Sequence, residues 1–120
     1  MATNYVQNGE VLAYTNAGSA IASGDVVVIG NIMGVAMTDI ATDETGSVAI
    51  EGVFVLPKVE GAVIGQGESV IWDASAGEFD DNLATPATGD VSGCCVATEA
   101  AGNGAATVKV RLNVGVGTIA

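Results

Sequence analysis

Apolar residues recur along the chain in short runs or at every second position, without an apolar stripe at helical spacing. Residues 106–113 form the clearest predicted strand, because valine and leucine alternate there with Lys109 and Arg111. Residues 48–56 carry apolar side chains on both faces up to Pro57, which is typical of a central strand. Similar runs predict further strands at residues 11–14, 25–29, 32–37, 68–72 and 93–98. The pattern predicts an all-β fold.

Glycine-rich turns separate the predicted strands. The chain holds 17 glycines, and glycine supplies the positive φ that tight turns require. A weak internal repeat appears when the chain is shifted by 43 residues against itself, and it indicates either two related halves or two ordinary hairpins. Both interpretations favour a small β-barrel or sandwich. The pairs in this alignment include Ile21 with Ile64, Gly24 with Gly67, Asp25 with Glu68, Val27 with Val70 and Val48 with Val91.

Composition and charge narrow the possible function classes. The 120 residues, 49% of them hydrophobic, fit one domain. Fourteen acidic against three basic residues give a net charge of −11, which repels phosphate backbones and anionic membrane surfaces. We therefore expect no nucleic-acid partner and no membrane partner. The first residues have neither the cationic nor the apolar region of a secretory signal, so we expect synthesis in the cytoplasm.

Catalytic and metal-binding chemistry finds little support in the sequence. The chain contains no histidine, which excludes a histidine general base, a histidine-activated nucleophile and a histidine-ligated metal. Cys94 and Cys95 are adjacent, so on a strand they point to opposite faces, and we expect two reduced thiols that serve packing. The acidic segment 73–81 could be read as a calcium site, or as a catalytic carboxylate pair such as Glu78 with Asp80. An ordinary turn with solvated carboxylates fits this segment better than either of these sites. We expect no catalytic residue, no cofactor and no metal.

A carrier domain is the alternative from a different functional class. The turns at Gly24 and Gly67 are similar to the hairpins of biotinyl and lipoyl carrier barrels. Those domains need a modifiable lysine at an exposed hairpin tip, and Lys58 is the only lysine outside the last predicted strand. Its neighbours differ from those of attachment lysines. A biotinyl- or lipoyl-like carrier, or another small β-barrel binding module, stays open as the alternative.

Charge is distributed unevenly, and this points to the two ends of the chain. Eleven of the fourteen acids lie between Asp39 and Asp90, whereas residues 112–120 carry none. Uncharged ends are buried against another protein at little desolvation cost, although frayed termini give the same pattern. We expect an extended N-terminal arm, a β-barrel domain and a C-terminal tail at residues 1–10, 11–113 and 114–120.

Two further features are candidates for contacts with a partner. Tyr5 lies in the polar N-terminal arm, and its large amphipathic ring suits an interface. Lys109 and Arg111 lie two residues apart on one strand face. They pair either with an acid of their own domain or with an acid of a subunit or partner.

Several motifs occur in order along nearly the whole chain: Ala-Thr-Asn-Tyr near the start, Glu-Gly-Val-Phe-x-Leu-Pro-Lys and Val-x-Trp-Asp in the middle, and Val-x-Val-Arg-Leu-Asn near the end. In this combination the chain resembles the capsid cement, or head-decoration, proteins of tailed bacteriophages and prophages. The resemblance implies a non-enzymatic β-rich protein that binds the outside of an expanded capsid, often as trimers. Cys94, Cys95 and residues 114–120 depart from the family pattern.

Together these observations predict a structural virion protein on the outer capsid surface, made in the bacterial host cytoplasm. Its expected partners are the major capsid protein, whose mutual contacts it stabilises, and further copies of itself, with a trimer as the expected form. The residues predicted to form the capsid or subunit interface are Ala2, Thr3, Asn4, Tyr5, Val6, Gln7, Lys109 and Arg111.

Overall fold

The structure is a computed structural model that describes residues 3–4 and 6–120. These residues form ten β-strands and no helix, which confirms the all-β prediction. In chain order the strands are β1 (Val11–Thr15), β2 (Val26–Ile29), β3 (Ile32–Ala36), β4 (Thr45–Ala49), β5 (Val53–Pro57), β6 (Ser69–Asp73), β7 (Glu78–Asp80), β8 (Val91–Ala97), β9 (Thr107–Arg111) and β10 (Thr118–Ile119).

The strands form two antiparallel sheets that pack as a sandwich. The N-terminal sheet has the order β1-β4-β3-β2, and the C-terminal sheet has the order β5-β9-β8-β6-β7, with β10 paired to β8. Within the described residues, β5 and β7 are linked only where Lys58 forms a parallel bridge with Phe79. Pro57 has no N–H to donate and β7 has three residues, so further pairing there is limited. Of the two expected architectures, the sandwich is right and the closed barrel is wrong.

Residues 48–56, predicted as one central strand, belong to two strands in different sheets. β4 ends at Ala49 and β5 begins at Val53, and Gly52 in the turn between them has a φ of 121°. This backbone conformation favours glycine over residues with a side chain. The apolar run continued through the turn, so its pattern did not reveal the break. As a result β5 is an edge strand of the C-terminal sheet instead of a central one.

The core has two parts because the N-terminal sheet buries both of its faces. Met33 and Val35 of β3 point toward the C-terminal sheet and join the main core, which also holds Trp72 and Phe79 in an edge-to-face contact. Burial of each such large apolar side chain contributes about 1.5–3 kcal/mol. The opposite face of the N-terminal sheet carries a smaller core that comprises Val27, Ala36, Ile40 and Val48.

The two sheets repeat one strand order, which supports the interpretation of two related halves. The order β1-β4-β3-β2 corresponds to β5-β9-β8-β6. The same backbone hydrogen bond opens each half: the Ile50 N–H donates to the Glu10 carbonyl at 2.9 Å, and the Leu112 N–H donates to the Gly52 carbonyl at 3.1 Å. The turns before β2 and β6 also match. There the carboxylates of Asp25 and Glu68 each accept from the N–H three residues earlier.

The sequence offset between the halves changes along the chain. Ile21 bridges Ile40 in the first half, and Ile64 bridges Ala101 in the second, so the offset grows from 43 to 61 residues. The difference of 18 residues reflects β7 and the loop around it, which have no counterpart in the first half. The ungapped alignment was therefore right from Ile21 to β6 and wrong beyond it. The structural equivalent of Val48 in β4 lies in β9 and not at Val91.

Residues 114–120, expected to form a tail, follow the surface of β8. Thr118 and Ile119 form β10 opposite Ser92 and Val91. The Gly117 N–H donates to the Asn31 carbonyl at 2.7 Å, and the Asn31 side-chain amide donates to the Gly117 carbonyl at 2.9 Å. This segment therefore ties the turn between β2 and β3 to the C-terminal sheet.

Candidate interaction surfaces

The outer face of β5 and β9 is an apolar patch beside basic residues. Strand register places Val53 opposite Arg111 and Val55 opposite Lys109. Val53 is 55% exposed and Val55 is 62% exposed, so both valines lie on the solvent side of the sheet. We call these four residues the β5–β9 face. Sequence reasoning missed the two valines because it treated their strand as central.

The two basic residues of the β5–β9 face differ in their own-chain partners. Lys109 Nζ donates to Glu99 Oε2 at 2.9 Å. Of the two alternatives, an acid of the same domain or an acid of a partner, Lys109 therefore pairs with an acid of the same domain. No carboxylate of the described residues lies within 4.0 Å of the Arg111 guanidinium. Because both side chains of the Lys109 pair are exposed, that ion pair contributes at most about 1 kcal/mol. Arg111 keeps its full hydrogen-bonding capacity for a partner.

The predicted arm residues are only partly described by the structure. Ala2 and Tyr5 lie outside the described residues. The other four are all exposed, namely Thr3, Asn4, Val6 and Gln7. None of the described residues before Val11 belongs to a strand. Val6 is 86% exposed, whereas the Gln7 side chain donates to the Val11 carbonyl at 2.6 Å. A groove of about 330 Å³ lies where the arm joins β1. The structure therefore does not bring the arm together with Lys109 and Arg111 in one described contact.

An exposed leucine among carboxylates forms a second surface, which sequence reasoning also missed. Leu83 follows β7 and is 88% exposed. Its N–H donates to Asp81 Oδ1 at 2.9 Å, the N–H of Asp81 donates to Asp80 Oδ1 at 2.8 Å, and the N–H of Asn82 donates to Glu68 Oε2 at 3.1 Å. These bonds hold the turn in shape. We call Leu83 with Glu68, Asp80 and Asp81 the Leu83 knob.

The acidic loop after β6 uses its carboxylate for its own turn. Asp73 Oδ1 accepts from the Ser75 N–H, the Ser75 hydroxyl and the Ala76 N–H. The Ser75 hydroxyl bond, followed by the Ala76 N–H bond, lowers the pKa of Asp73 below its ordinary value. Across the described residues, no group of three or more potential metal ligands converges. The calcium interpretation of this loop therefore has no geometric support.

Lys58 is fully buried, which argues against the carrier alternative. Its Nζ donates to three backbone carbonyls, those of Val59 at 2.6 Å, Glu60 at 3.1 Å and Ala105 at 3.1 Å. A carrier lysine must extend into solvent to be modified and to move its cofactor. Lys58 instead holds together the loops at the end of β5.

Cys94 and Cys95 are both free thiols in the main core. A bulge where β8 pairs with β6 interrupts the alternation, so the expectation that they point to opposite faces is wrong. The Cys94 thiol donates to Asn113 Oδ1 at 2.9 Å, and Cys95 Sγ lies 3.8 Å from Met33 Sδ. Hydrogen bonding with Cys95 lowers the pKa of Cys94 to about 7, and the same contact raises the pKa of Cys95.

The fold and these surfaces describe a small β-sandwich with exposed apolar and charged patches. The family profile for phage cement proteins matches residues 6–112, and the chain belongs to this family. None of the curated proteins matches the chain. The protein is therefore a structural component of the phage capsid, and it associates with the virion. Among residues 3–4 and 6–120, no helix is long and apolar enough to cross a lipid bilayer.

Proposed function

We propose that this protein binds the outer surface of the phage capsid and stabilises contacts between major capsid proteins. Membership of the phage cement family is the observation that carries this proposal. A cement protein acts in many copies, so each copy needs only modest contacts with the lattice. Such a role requires binding surfaces and no catalytic group, and we propose that the protein is not an enzyme and works without cofactor or metal.

The N-terminal arm is the proposed attachment element. Residues 2–7, Ala-Thr-Asn-Tyr-Val-Gln, carry no charged side chain, and the described part of them is exposed. Extended segments of this composition add a strand to an exposed sheet edge of a partner. The added strand pairs backbone donors with acceptors, while Tyr5 buries its ring and keeps its hydroxyl hydrogen-bonded.

Charge supports an outward orientation for the rest of the protein. With a net charge of −11, most of the surface is costly to bury against another protein, because unpaired carboxylates lose their hydration. These carboxylates face solvent in the proposed arrangement. The same charge disfavours nucleic acid and anionic membranes as partners. We further propose synthesis in the host cytoplasm and self-association of copies on the lattice, as trimers.

Deletion of residues 2–7 tests the attachment element. We expect a melting temperature within about 2 °C of the wild type, because a change below ~0.5 kcal/mol moves it by no more than that in a domain of this size. Attachment to purified capsids that lack the protein should fall at least tenfold, about 1.4 kcal/mol. Co-sedimentation of labelled protein with capsids measures it.

A matched control keeps the length of the arm and changes its chemistry. Replacing residues 2–7 by a Gly-Ser sequence of equal length should weaken attachment as much as the deletion, since Gly-Ser chains are flexible and poor strand formers. If either variant attaches with wild-type affinity, the arm is not the attachment element. If the wild-type protein itself fails to bind capsids, the proposed function is wrong.

A further inference from the structure

The β5–β9 face and the Leu83 knob are chemically complementary. The first is a pair of exposed valines beside Lys109 and Arg111, and the second is an exposed leucine among three carboxylates. Neither surface is needed to complete the core of its own half. Asp80, Asp81 and Leu83 of the knob also lie in the segment that only the second half of the fold contains, so the shared strand order does not require them.

Charge restricts where a second copy can approach the β5–β9 face. The chain has three basic residues, of which Lys58 is buried, so Lys109 and Arg111 are the exposed basic side chains among the described residues. Elsewhere the exposed charges are carboxylates, and two copies that meet through them repel each other. The carboxylates of a second copy are therefore attracted to the β5–β9 face. Arg111 is the stronger attractor, because Lys109 already holds Glu99.

The Leu83 knob is held in one shape before it meets a partner. Asp81 binds the N–H of Leu83 at 2.9 Å, and Glu68 binds the N–H of Asn82 at 3.1 Å. A turn fixed by such bonds loses little conformational entropy on association. The carboxylates that fix the turn keep their negative charge around Leu83. An apolar contact with surrounding charge pairs is the pattern of a specific interface.

The knob and Arg111 of one copy do not contact each other. Strand register places Arg111 opposite Val96 and Val96 opposite Ser69, the neighbour of Glu68, so two strand spacings of about 4.8 Å separate Arg111 from the strand next to Glu68. Among the described residues, no carboxylate, including those of the knob, lies within 4.0 Å of the Arg111 guanidinium. Arg111 is therefore available to the carboxylates of a second copy.

We propose that the Leu83 knob of one copy docks on the β5–β9 face of a second copy. Leu83 packs against Val53 and Val55, and Asp80 and Asp81 of the knob pair with Arg111. The two copies contribute different surfaces, so the contact is heterologous and propagates until the copies close into a ring. This inference rests on the proposed self-association and names the surfaces that produce it.

The mass of the full chain in solution tests the contact. Wild-type protein at concentrations up to about 1 mM should assemble, which sedimentation equilibrium measures directly. Arg111→Glu and Leu83→Asp should each weaken assembly at least tenfold. Val63→Asp is the matched control, because Val63 is 63% exposed and lies outside both surfaces. Raising salt from about 0.1 M to 1 M shortens the Debye length from about 10 to 3 Å and should also weaken assembly.

Mixing the two defective variants tests the heterologous geometry. Arg111→Glu retains an intact knob and Leu83→Asp retains an intact face, so one productive contact remains between them. An equal mixture should form pairs of one copy of each variant and no larger assembly. Circular dichroism and melting curves check that each variant folds, and Arg111→Gln with Leu83→Asn replaces any variant that does not.

Four results overturn the inference: a wild type that stays monomeric at about 1 mM, single variants with wild-type assembly, a Val63→Asp variant as defective as they are, or a mixture that stays monomeric. Capsid co-sedimentation is a separate readout. Loss of capsid attachment with normal assembly in solution contradicts the proposed function alone, and assembly through other surfaces with normal attachment contradicts this inference alone.

Discussion

Two buried polar side chains occupy corresponding positions at the end of the first strand of each half. Asn16 follows β1 and donates to the carbonyls of Ser19 and Ile40. Lys58 follows β5 and donates to three carbonyls of the neighbouring loops. The backbone N–H groups of both residues also make matching bonds, to Glu44 and Ala106 at 2.9 Å. Both residues therefore satisfy buried carbonyls where each sheet meets its loops.

Lys58→Met should destabilise the protein by about 2 kcal/mol, because the thioether fills the space but donates no hydrogen bond. Among the described residues, the carbonyls of Val59 and Glu60 keep a second donor, whereas that of Ala105 has none. Urea unfolding measures the change.

Lys109→Met is the matched control, since it removes an exposed lysine with one surface ion pair. Its expected change is below about 0.5 kcal/mol. Equal effects of the two substitutions would contradict the structural role of Lys58. Amine acetylation of the folded protein gives a second check, because Lys109 should react and Lys58 should not.

At the scale of elements, the C-terminal segment covers Cys94. The N–H of Val114 donates to the Cys94 carbonyl at 2.9 Å, and β10 pairs with the start of β8. A Cβ added at Gly117 lies 2.6 Å from Val91 Cγ1, 3.0 Å from the Asn31 carbonyl and 3.2 Å from Cys94 Cβ. The close approach of this segment therefore requires glycine at position 117.

Gly117→Ala should displace the segment at a cost of about 1–3 kcal/mol, the usual cost of overpacking. We expect thiol reagents to modify Cys94 at least tenfold faster in this variant than in the wild type. The Cys94→Ala background identifies the thiol that reacts, since labelling should then fall to the level of the wild type.

Gly102→Ala is the control for this substitution, because a Cβ at Gly102 meets nothing within 4 Å. It should leave both stability and labelling unchanged. If Gly117→Ala labels no faster than Gly102→Ala, the segment does not protect Cys94.

The whole molecule combines two related halves with an uneven surface. The halves supply a core that contains no described cluster of metal ligands. The insertion in the second half supplies the Leu83 knob, and the edge strand β5 supplies exposed valines. The proposed function therefore relies on exposed surfaces of the molecule.

Removal of divalent metals should not change the melting temperature or the attachment to capsids. A metal present at 100 times its Kd contributes about 2.7 kcal/mol, so its loss would lower the melting temperature by several degrees. Differential scanning calorimetry with and without a chelator measures this, and calcium addition provides the reverse experiment. A fall in melting temperature that calcium restores would show a metal site.

Much of the fold was predictable because strand signals are local. The alternation around Lys109 and Arg111 fixed β9, and the Gly-Asp and Gly-Glu turns located β2 and β6. The turn at Gly52 was missed because the apolar residues continue on both sides of it. A run of apolar residues gives the same sequence pattern whether it forms one strand or two consecutive strands. The change of offset between the halves was missed because an insertion leaves no mark in an ungapped comparison.

The sequence by itself determined the strand-rich class, the main turns, the net charge and the absence of histidine chemistry, since these follow from residue type and from neighbours along the chain. The tertiary structure alone decided that Lys58 is buried, that Val53 and Val55 are exposed, and that Leu83 stands among carboxylates. Alternation tells which residues share a face, whereas burial depends on what packs against that face. Those contacts join residues distant in sequence, and local patterns do not specify them.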